Sequence, residues 1–272
     1  MTVGFWNINK KKLDKLINDF VYLNQIDILI LAESPYEDSA EFLKVLNQRE
    51  SNFYYASLIN CEKLQFYVKF KPTVELFQLL SDLPRFTAHS VFSPKYDSIT
   101  LIAVHFQSKV NWSNEDQAAY SPVLKEFIDS VEQQQGHKRT IVCGDFNMNP
   151  FDAGMVQTTG LHSVMDRHIA NKGSRVVAYK AYDFFYNPMW SFLGDLGKGD
   201  VSGTFYHNSS NPINYHWNLL DQVLVRPSLI KDFSDQDLEI TTQIGDVKLL
   251  TQSNIIDKKY SDHLPIKFKI KI

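Results

Sequence analysis

The amino-acid sequence predicts an α/β fold in which two mixed β-sheets pack on one another with helices outside, as one domain over residues 1–272. Three observations carry this reading. Short apolar runs recur in both halves of the chain. Amphipathic helical stretches intervene between them. The helices do not separate the strands regularly enough for an all-parallel sheet.

The elements follow in order. Residues 3–8 form an apolar run, and Leu13, Leu16, Ile17, Phe20 and Val21 then recur at the spacing of one helix face. Residues 26–32 read as a buried strand and residues 39–48 as a second helix. Residues 53–59, 64–70, 87–92 and 99–106 read as extended. Tyr120, Val123, Leu124, Phe127, Ile128 and Val131 mark a third helix, which Pro122 should begin or kink because its nitrogen carries no hydrogen. A strand at 140–143 ends in Gly144-Asp145-Phe146-Asn147. Residues 172–216 are rich in aromatics, Gly and Asn and show little periodicity. Residues 219–225 and 265–270 supply the closing strands.

Composition bounds the function. The chain has 28 Lys and Arg against 31 Asp and Glu, a net charge of −3, and is 44% hydrophobic. These values exclude a disordered chain, and 11 Gly with 10 Pro exclude a collagen-like one. The near balance of charge exerts no global pull on nucleic acid or anionic membrane, so a nucleic-acid site must be a local patch. Cys61 and Cys143 are too few for a disulfide framework or a four-ligand zinc site. Both fall in apolar, strand-like stretches and read as small buried hydrophobes in a reducing compartment. No apolar run approaches the roughly 18 residues of a membrane helix. The first residues lack a basic region followed by an apolar one. A cytoplasmic protein without membrane association is therefore expected.

Polar residues gather where the apolar runs end. Asn7 and Asn9 follow the first strand, Glu33 the second and His105 the run 99–106; Asp145 and Asn147 follow 140–143. Asp221 lies within the run 219–225, and Asp262-His263 precedes the last strand. Read singly, each has a structural explanation. Asn7, Asn9, Asp145 and Asn147 suit turns, Glu33 a solvated strand end, Asp262 a cap and His105 a structural role. Six such strand ends together point to one convergent polar site.

These words resemble the endonuclease/exonuclease/phosphatase superfamily, the deoxyribonuclease-like metal-dependent phosphoesterases. Trp6-Asn7, Glu33, His105-Phe106-Gln107-Ser108, Gly144-Asp145-Phe146-Asn147, Leu220-Asp221-Gln222-Val223 and Ser261-Asp262-His263-Leu264-Pro265 carry the resemblance. It implies a four-layer sandwich of helices around two sheets, in agreement with the pattern above.

The chemistry assigns roles. Hard divalent cations prefer oxygen ligands, so Mg²⁺, with Mn²⁺ as a substitute, fits a site without thiolates. Glu33 fits as principal ligand, and the resemblance implies the same. Asp262 and an amide oxygen of Asn7 or Asn9 complete the set. His263 is the candidate general base or phosphate-contacting imidazole, and the resemblance assigns Asp221 to hold its other nitrogen. His105 matches a second family histidine that protonates the leaving group or steadies the phosphate. Asp145 is placed to orient water or a second metal, and Asn147 and Asn7 to donate hydrogen bonds to phosphate oxygens. Arg85 matches a family arginine near the substrate.

Three departures stand out. The carboxylate that partners the mid-chain histidine in the family's pancreatic enzyme has no match for His105 in this sequence. Asn9 occupies a position where some relatives carry an acid. Trp217-Asn218-Leu219-Leu220-Asp221 replaces the Trp-Cys-Asp word of the five-phosphatases, which argues against inositol polyphosphates.

Residues 172–216 should form the most variable loop. Its aromatics, Trp190 among them, alternate with Lys172, Arg175, Lys180 and Lys198. That mixture suits stacking on unpaired bases, worth about 1–3 kcal/mol per base; the competing explanation is a covered sheet edge. Lys10-Lys11-Lys12 reads as a solvated helix face rather than a phosphate contact. The expected function is a Mg²⁺-dependent phosphodiesterase cleaving DNA or RNA by in-line attack of water with His/Asp acid–base catalysis. The alternatives are an enzyme on small or lipid phosphoesters, motivated by the slightly acidic charge, and a non-catalytic binding module. No protein partner is legible.

Overall fold

Two parallel strand pairs, each joined through a helical crossover, organise the protein in a computed structural model that describes residues 1–49, 52–73, 76–93 and 96–272. In the first pair, Thr2–Asn7 leads through the helix Asp14–Leu23 to Ile28–Ala32, with Asn7 opposite Ala32. In the second, Tyr96–His105 leads through the helix Asn114–Gln135 to Thr140–Asp145, with His105 opposite Asp145. A parallel pair needs such a crossover because a tight hairpin reverses the chain.

Each pair sits inside a mixed sheet. The first sheet runs Phe233–Ile240, Ile266–Ile270, Thr2–Asn7, Ile28–Ala32, Leu64–Val68, Tyr54–Ala56. The second runs Phe77–Leu83, Phe86–Ser93, Tyr96–His105, Thr140–Asp145, Asp221–Val225, Phe185–Tyr186, Ser163–Val164. Strand alternation divides the second sheet's side chains between two layers. Phe86, Ala88, Ile102, Val104, Val142 and Leu224 pack on Leu124, Phe127, Ile128 and Val131 of the long helix. Leu101, Ala103, Ile141, Cys143, Val223 and Val225 belong instead to the core shared with the first sheet. On the first sheet, Leu16, Ile17, Phe20 and Val21 bury the apolar face of the helix Asp14–Leu23. Gly4 lets that helix approach, since a Cβ there would stand 2.9 Å from the Phe20 ring. The result is the expected α/β four-layer sandwich of two mixed sheets flanked by helices.

Several elements differ from expectation for identifiable reasons. Phe77–Leu83 and Phe233–Ile240 are strands that the sequence reading left out. Both are sheet edges with many polar, half-exposed positions, so they lack the apolar signature of a central strand. Cys61 is buried as expected, but in a loop beyond Tyr54–Ala56 rather than in a strand.

The third helix begins well before Pro122. Ser113 and Asp116 form a capping box at its start, with Asp116 N–H donating to Ser113 Oγ and Ser113 N–H to Asp116. Pro122 therefore lies inside the helix. The Ala118 carbonyl that loses its intrahelical donor accepts instead from Ser121 Oγ at 2.9 Å and Gln157 Nε2 at 2.6 Å. Residues 172–216 contain the hairpin Ser174–Val177 with Lys180–Asp183, a 3₁₀ turn Pro188–Phe192, and the short pair Phe205–Tyr206 with Trp217–Asn218. Lys198 anchors this stretch by donating to the carbonyls of Asp235 and Leu238. Among the described residues, no helix is long and apolar enough to cross a membrane.

His89 gives the fold a testable acid dependence. Its ring lies between Phe66 and Phe77, with centroids at 4.5 and 4.4 Å, and neither ring nitrogen has a partner among the described residues. Burial pulls its pKa down to about 3. Unfolded, the imidazole titrates near 6.5. Below that pH the unfolded chain takes up a proton that the folded core refuses, so stability falls as pH drops toward 3. At pH 5 the loss is about 2 kcal/mol. In His89→Leu, the stability difference between pH 7 and pH 5, measured by urea unfolding, should shrink by about that amount. An unchanged difference contradicts a neutral buried ring.

Candidate active site

The two parallel pairs bring their carboxyl ends to the same place. Asn7 ends the first strand and Glu33 follows the second; His105 and Asp145 end the other pair. Asn7 Nδ2 donates to Glu33 Oε1 at 3.2 Å and to Asp145 Oδ2 at 3.1 Å, so one amide joins the two sheets. His105 Nε2 stands 3.3 Å from Glu33 Oε1 and 3.8 Å from Asp145 Oδ2. Asp221 lies opposite Asp145 in the next strand, and its Oδ2 meets His263 Nδ1 at 2.8 Å. His263 Nε2 then sits 3.9 Å from Asp145 Oδ2.

The near-terminal Ser-Asp-His segment is tied to the first strand. Trp6 Nε1 donates to the His263 carbonyl at 2.9 Å. Ser261 Oγ donates to the Asn7 carbonyl at 2.7 Å and accepts the His263 N–H at 3.2 Å. Beside these groups lies a cleft of about 490 Å³ whose walls include Asn9, Glu33, Asp145, Asn147, Asp262 and His263.

The charges follow from these contacts. The hydrogen bond from His105 is the main reason that the Glu33 carboxyl is held down at about 2, with burial opposing it and Asn7 assisting. Glu33 is thus ionised at neutral pH. Burial alone would lower the pKa of His263. The buried Asp221 carboxylate, followed by Asp145, reverses that and raises it to about 10. Because Asp221 accepts at Nδ1, that nitrogen carries the proton and Nε2 is turned to the cleft. His105 Nδ1 is buried with no partner among the described residues.

Other expected residues take different places. The Asn7 amide oxygen accepts the Asn9 N–H at 3.0 Å, so Asn7 turns its NH₂, not an oxygen, toward the carboxylates. A cation-ligand role for Asn7 does not fit this geometry; Asn9 lines the cleft. Asn147 donates its backbone N–H to Asp145 Oδ1 at 2.8 Å and one amide N–H to the Phe106 carbonyl at 3.0 Å. Asn9, Glu33 and Asn147 all hold φ near +50°, at 45°, 48° and 51°. Three left-handed backbone positions therefore border the cleft.

Arg85 donates to the carbonyls of His105 and Phe106 at 3.2 and 3.3 Å and does not line the cleft, so it braces a strand end. Trp190 lines a separate apolar hollow. Lys10, Lys11 and Lys12 precede the helix rather than covering its face, and Lys11 Nζ donates to the Lys258 carbonyl at 3.1 Å.

Three contributors were missed. Thr204 Oγ1 accepts the N–H groups of Leu220 and Asp221 at 3.2 and 3.0 Å. Asn149 accepts the Leu219 N–H at 2.9 Å and donates to Asn218. Phe205 packs its ring 4.9 Å from that of His263. Asn149 follows the Gly-Asp-Phe-Asn turn by two residues, a signal that was present; Thr204 carries none. A hollow of about 650 Å³ beside the long helix carries the ion pairs Lys125–Asp129 and Lys138–Asp183.

The donor set suits a hard cation. Glu33, Asp145 and Asp262 present carboxylates to the cleft. Among the described residues no hydrogen bond holds the Asp262 carboxylate. Ligand atoms of Asp145, Asp221 and His263 lie within 4.8 Å of one another, although Asp221 and His263 already bond each other. Neither cysteine lines the cleft.

The chain matches the Endonuclease/Exonuclease/phosphatase family over residues 4–263. It belongs to that family. The family's nucleases and phosphatases are phosphoester hydrolases, in keeping with carboxylates and imidazoles around one cleft. Comparison with curated protein sequences gave no match. Among solved structures, the endonuclease domain of TRAS1, a telomere-specific non-LTR retrotransposon, is 14% identical with a TM-score of 0.57, covering 100% of this chain and 98% of that one. The human nocturnin catalytic domain is 16% identical with a TM-score of 0.55, covering 100% and 94%. An AP endonuclease from Archaeoglobus fulgidus is 15% identical with a TM-score of 0.55, covering 100% of both. At these identities the likeness is one of fold.

Gly144 positions the family's Gly-Asp-Phe-Asn turn. It holds φ at +141°, and a Cβ there would lie 2.0 Å from the Val104 carbonyl oxygen. Gly144→Ala should cost about 3 kcal/mol or more of unfolding free energy. Urea unfolding checks this, and a loss below about 1 kcal/mol contradicts the close approach.

Proposed function

We propose that the protein is a divalent-cation-dependent phosphodiesterase that hydrolyses nucleic acid, with residues 1–272 as one catalytic domain. The observation that carries this reading is the buried Asp221–His263 pair aimed at Asp145 in the same cleft as Glu33, with His105 against the Glu33 and Asp145 carboxylates. Nucleic acid is favoured over small phosphoesters because the retrotransposon and AP endonucleases share the fold. So does a Neisseria 3′ phosphatase described bound to a product DNA hairpin, at 16% identity and a TM-score of 0.51.

Glu33 and Asp262, with Asn9, would hold Mg²⁺ or Mn²⁺. When bound, the cation would withdraw charge from the phosphate oxygens and ease attack at phosphorus. The protein's own groups do the rest. Asp221 orients the His263 ring so that Nε2 meets the phosphate. The raised pKa of His263 favours an imidazolium that stabilises the charge growing on the phosphate oxygens. Asp145, held by Asn7 and the Asn147 N–H, orients the attacking water and accepts its proton. Asn147 keeps its second amide N–H for a phosphate oxygen, and His105 delivers a proton toward the leaving oxygen.

Cleavage of single-stranded oligonucleotides and plasmid should require Mg²⁺ or Mn²⁺ and stop with EDTA. Asp221→Asn should lower kcat by about 10²–10⁴-fold. Failure to cleave any nucleic acid, together with turnover of sugar phosphates or lipid phosphodiesters, would refute the assignment.

A further inference from the structure

An apolar hollow of about 440 Å³ takes no part in the chemistry above. Phe151, Phe184 and Trp190 wall it with Val156, Met165 and Ile169, and the polar side of its lining includes Asp166, whose carboxylate already accepts the Ile169 N–H, and Arg175. Met165 is 59% exposed, and Phe151 and Val156 are 37% exposed each. A cluster of large apolar side chains facing solvent marks an interaction site. Phe151 meets the rings of Trp190 and Tyr215 edge-on, at 6.1 and 5.4 Å.

A cation stands at the rim. Arg175 donates its Nε to the ring of buried His162 at 2.9 Å, and the other ring nitrogen of His162 lies 3.1 Å from the Asp183 carbonyl. The guanidinium is thereby oriented, and among the described residues no hydrogen bond uses its terminal NH₂ groups. Half-exposed aromatic rings beside an oriented guanidinium complement one nucleotide, whose base stacks on a single ring and whose phosphate accepts a forked pair of hydrogen bonds.

The hollow is separate from the cleft, and the chain bounds the distance between them. Phe151 follows Asn147 by four residues, at most about 14 Å along an extended chain. Between them Asn149 pins Asn218, which also lines the cleft.

We propose that this hollow is a subsite for one unpaired nucleotide of the substrate strand, a nucleotide or two from the phosphate that is cleaved. The assignment rests on the nucleic-acid reading above. It implies a preference for strand ends, loops or gaps, where a base swings out of the helix without breaking a pair.

The test uses the full chain with Mg²⁺ and single-stranded oligonucleotides that lack one base at a time, alongside bis(4-nitrophenyl) phosphate as a diester without nucleobases. Base removal at one position near the cut should raise KM about tenfold while kcat changes less than about twofold. Met165→Glu and Arg175→Glu, both at exposed positions, should each raise KM for the intact strand by a similar factor and abolish the effect of position. Uniform KM values across the base-less series, on strands that are cleaved, overturn the subsite and point to another occupant. A position effect that survives in both variants also overturns it. Hydrolysis of the small diester without cleavage of any strand overturns the nucleic-acid reading, and the subsite with it.

Discussion

The amide of Asn7 is the contact on which the site depends. It reaches from the end of one sheet to Glu33 on its own side and Asp145 on the other. Carboxylates that face one another in a half-buried cleft repel, and each needs donors to remain ionised. Asn7, His105, the Asn147 N–H and His263 supply them. The amide can do this only because its oxygen is already satisfied by the Asn9 N–H. That turn in turn places Asn9 at φ +45°. Local strain, the orientation of one side chain and the docking of the two sheets are therefore coupled.

The same coupling explains why the site lies at this edge. Both parallel pairs end here in register, Asn7 with Ala32 and His105 with Asp145. Strand ends present loop residues while their bodies stay rigid, which is where open α/β sheets build ligand sites. Ser261 and Trp6 then stitch the near-terminal segment to the first strand, so His263 arrives from the far end of the chain at a fixed position. Thr204 secures Asp221 in a similar way from within the aromatic loop. These hydrogen bonds hold the groups in place without substrate, which is what electrostatic stabilisation of a developing charge requires.

Much of this was legible in the sequence. Central strands such as Ile28–Ala32 and Thr140–Asp145 are apolar on both faces, and Asp145, Asp221 and His263 stand where those runs break. The edge strands Phe77–Leu83 and Phe233–Ile240 were not legible, because a strand paired on one side needs few apolar residues. The start of the long helix was obscured by Pro122, whose missing hydrogen bond is replaced by Ser121 and Gln157, contacts that no local pattern announces. For the site, residue identity located the groups but not their orientation. Asn7 reads equally as an oxygen donor or an N–H donor until the neighbouring Asn9 N–H is placed. Arg85 and Trp190 have the right chemistry for substrate, yet one braces a strand end and the other walls a separate hollow.

The convergence of distant polar residues on one bound cation is best tested by anomalous diffraction from crystals of the protein soaked in Mn²⁺. The account predicts a peak in the cleft against the Glu33 carboxylate, lost in Glu33→Gln. A cleft without a peak, or manganese bound only elsewhere on the surface, would contradict it.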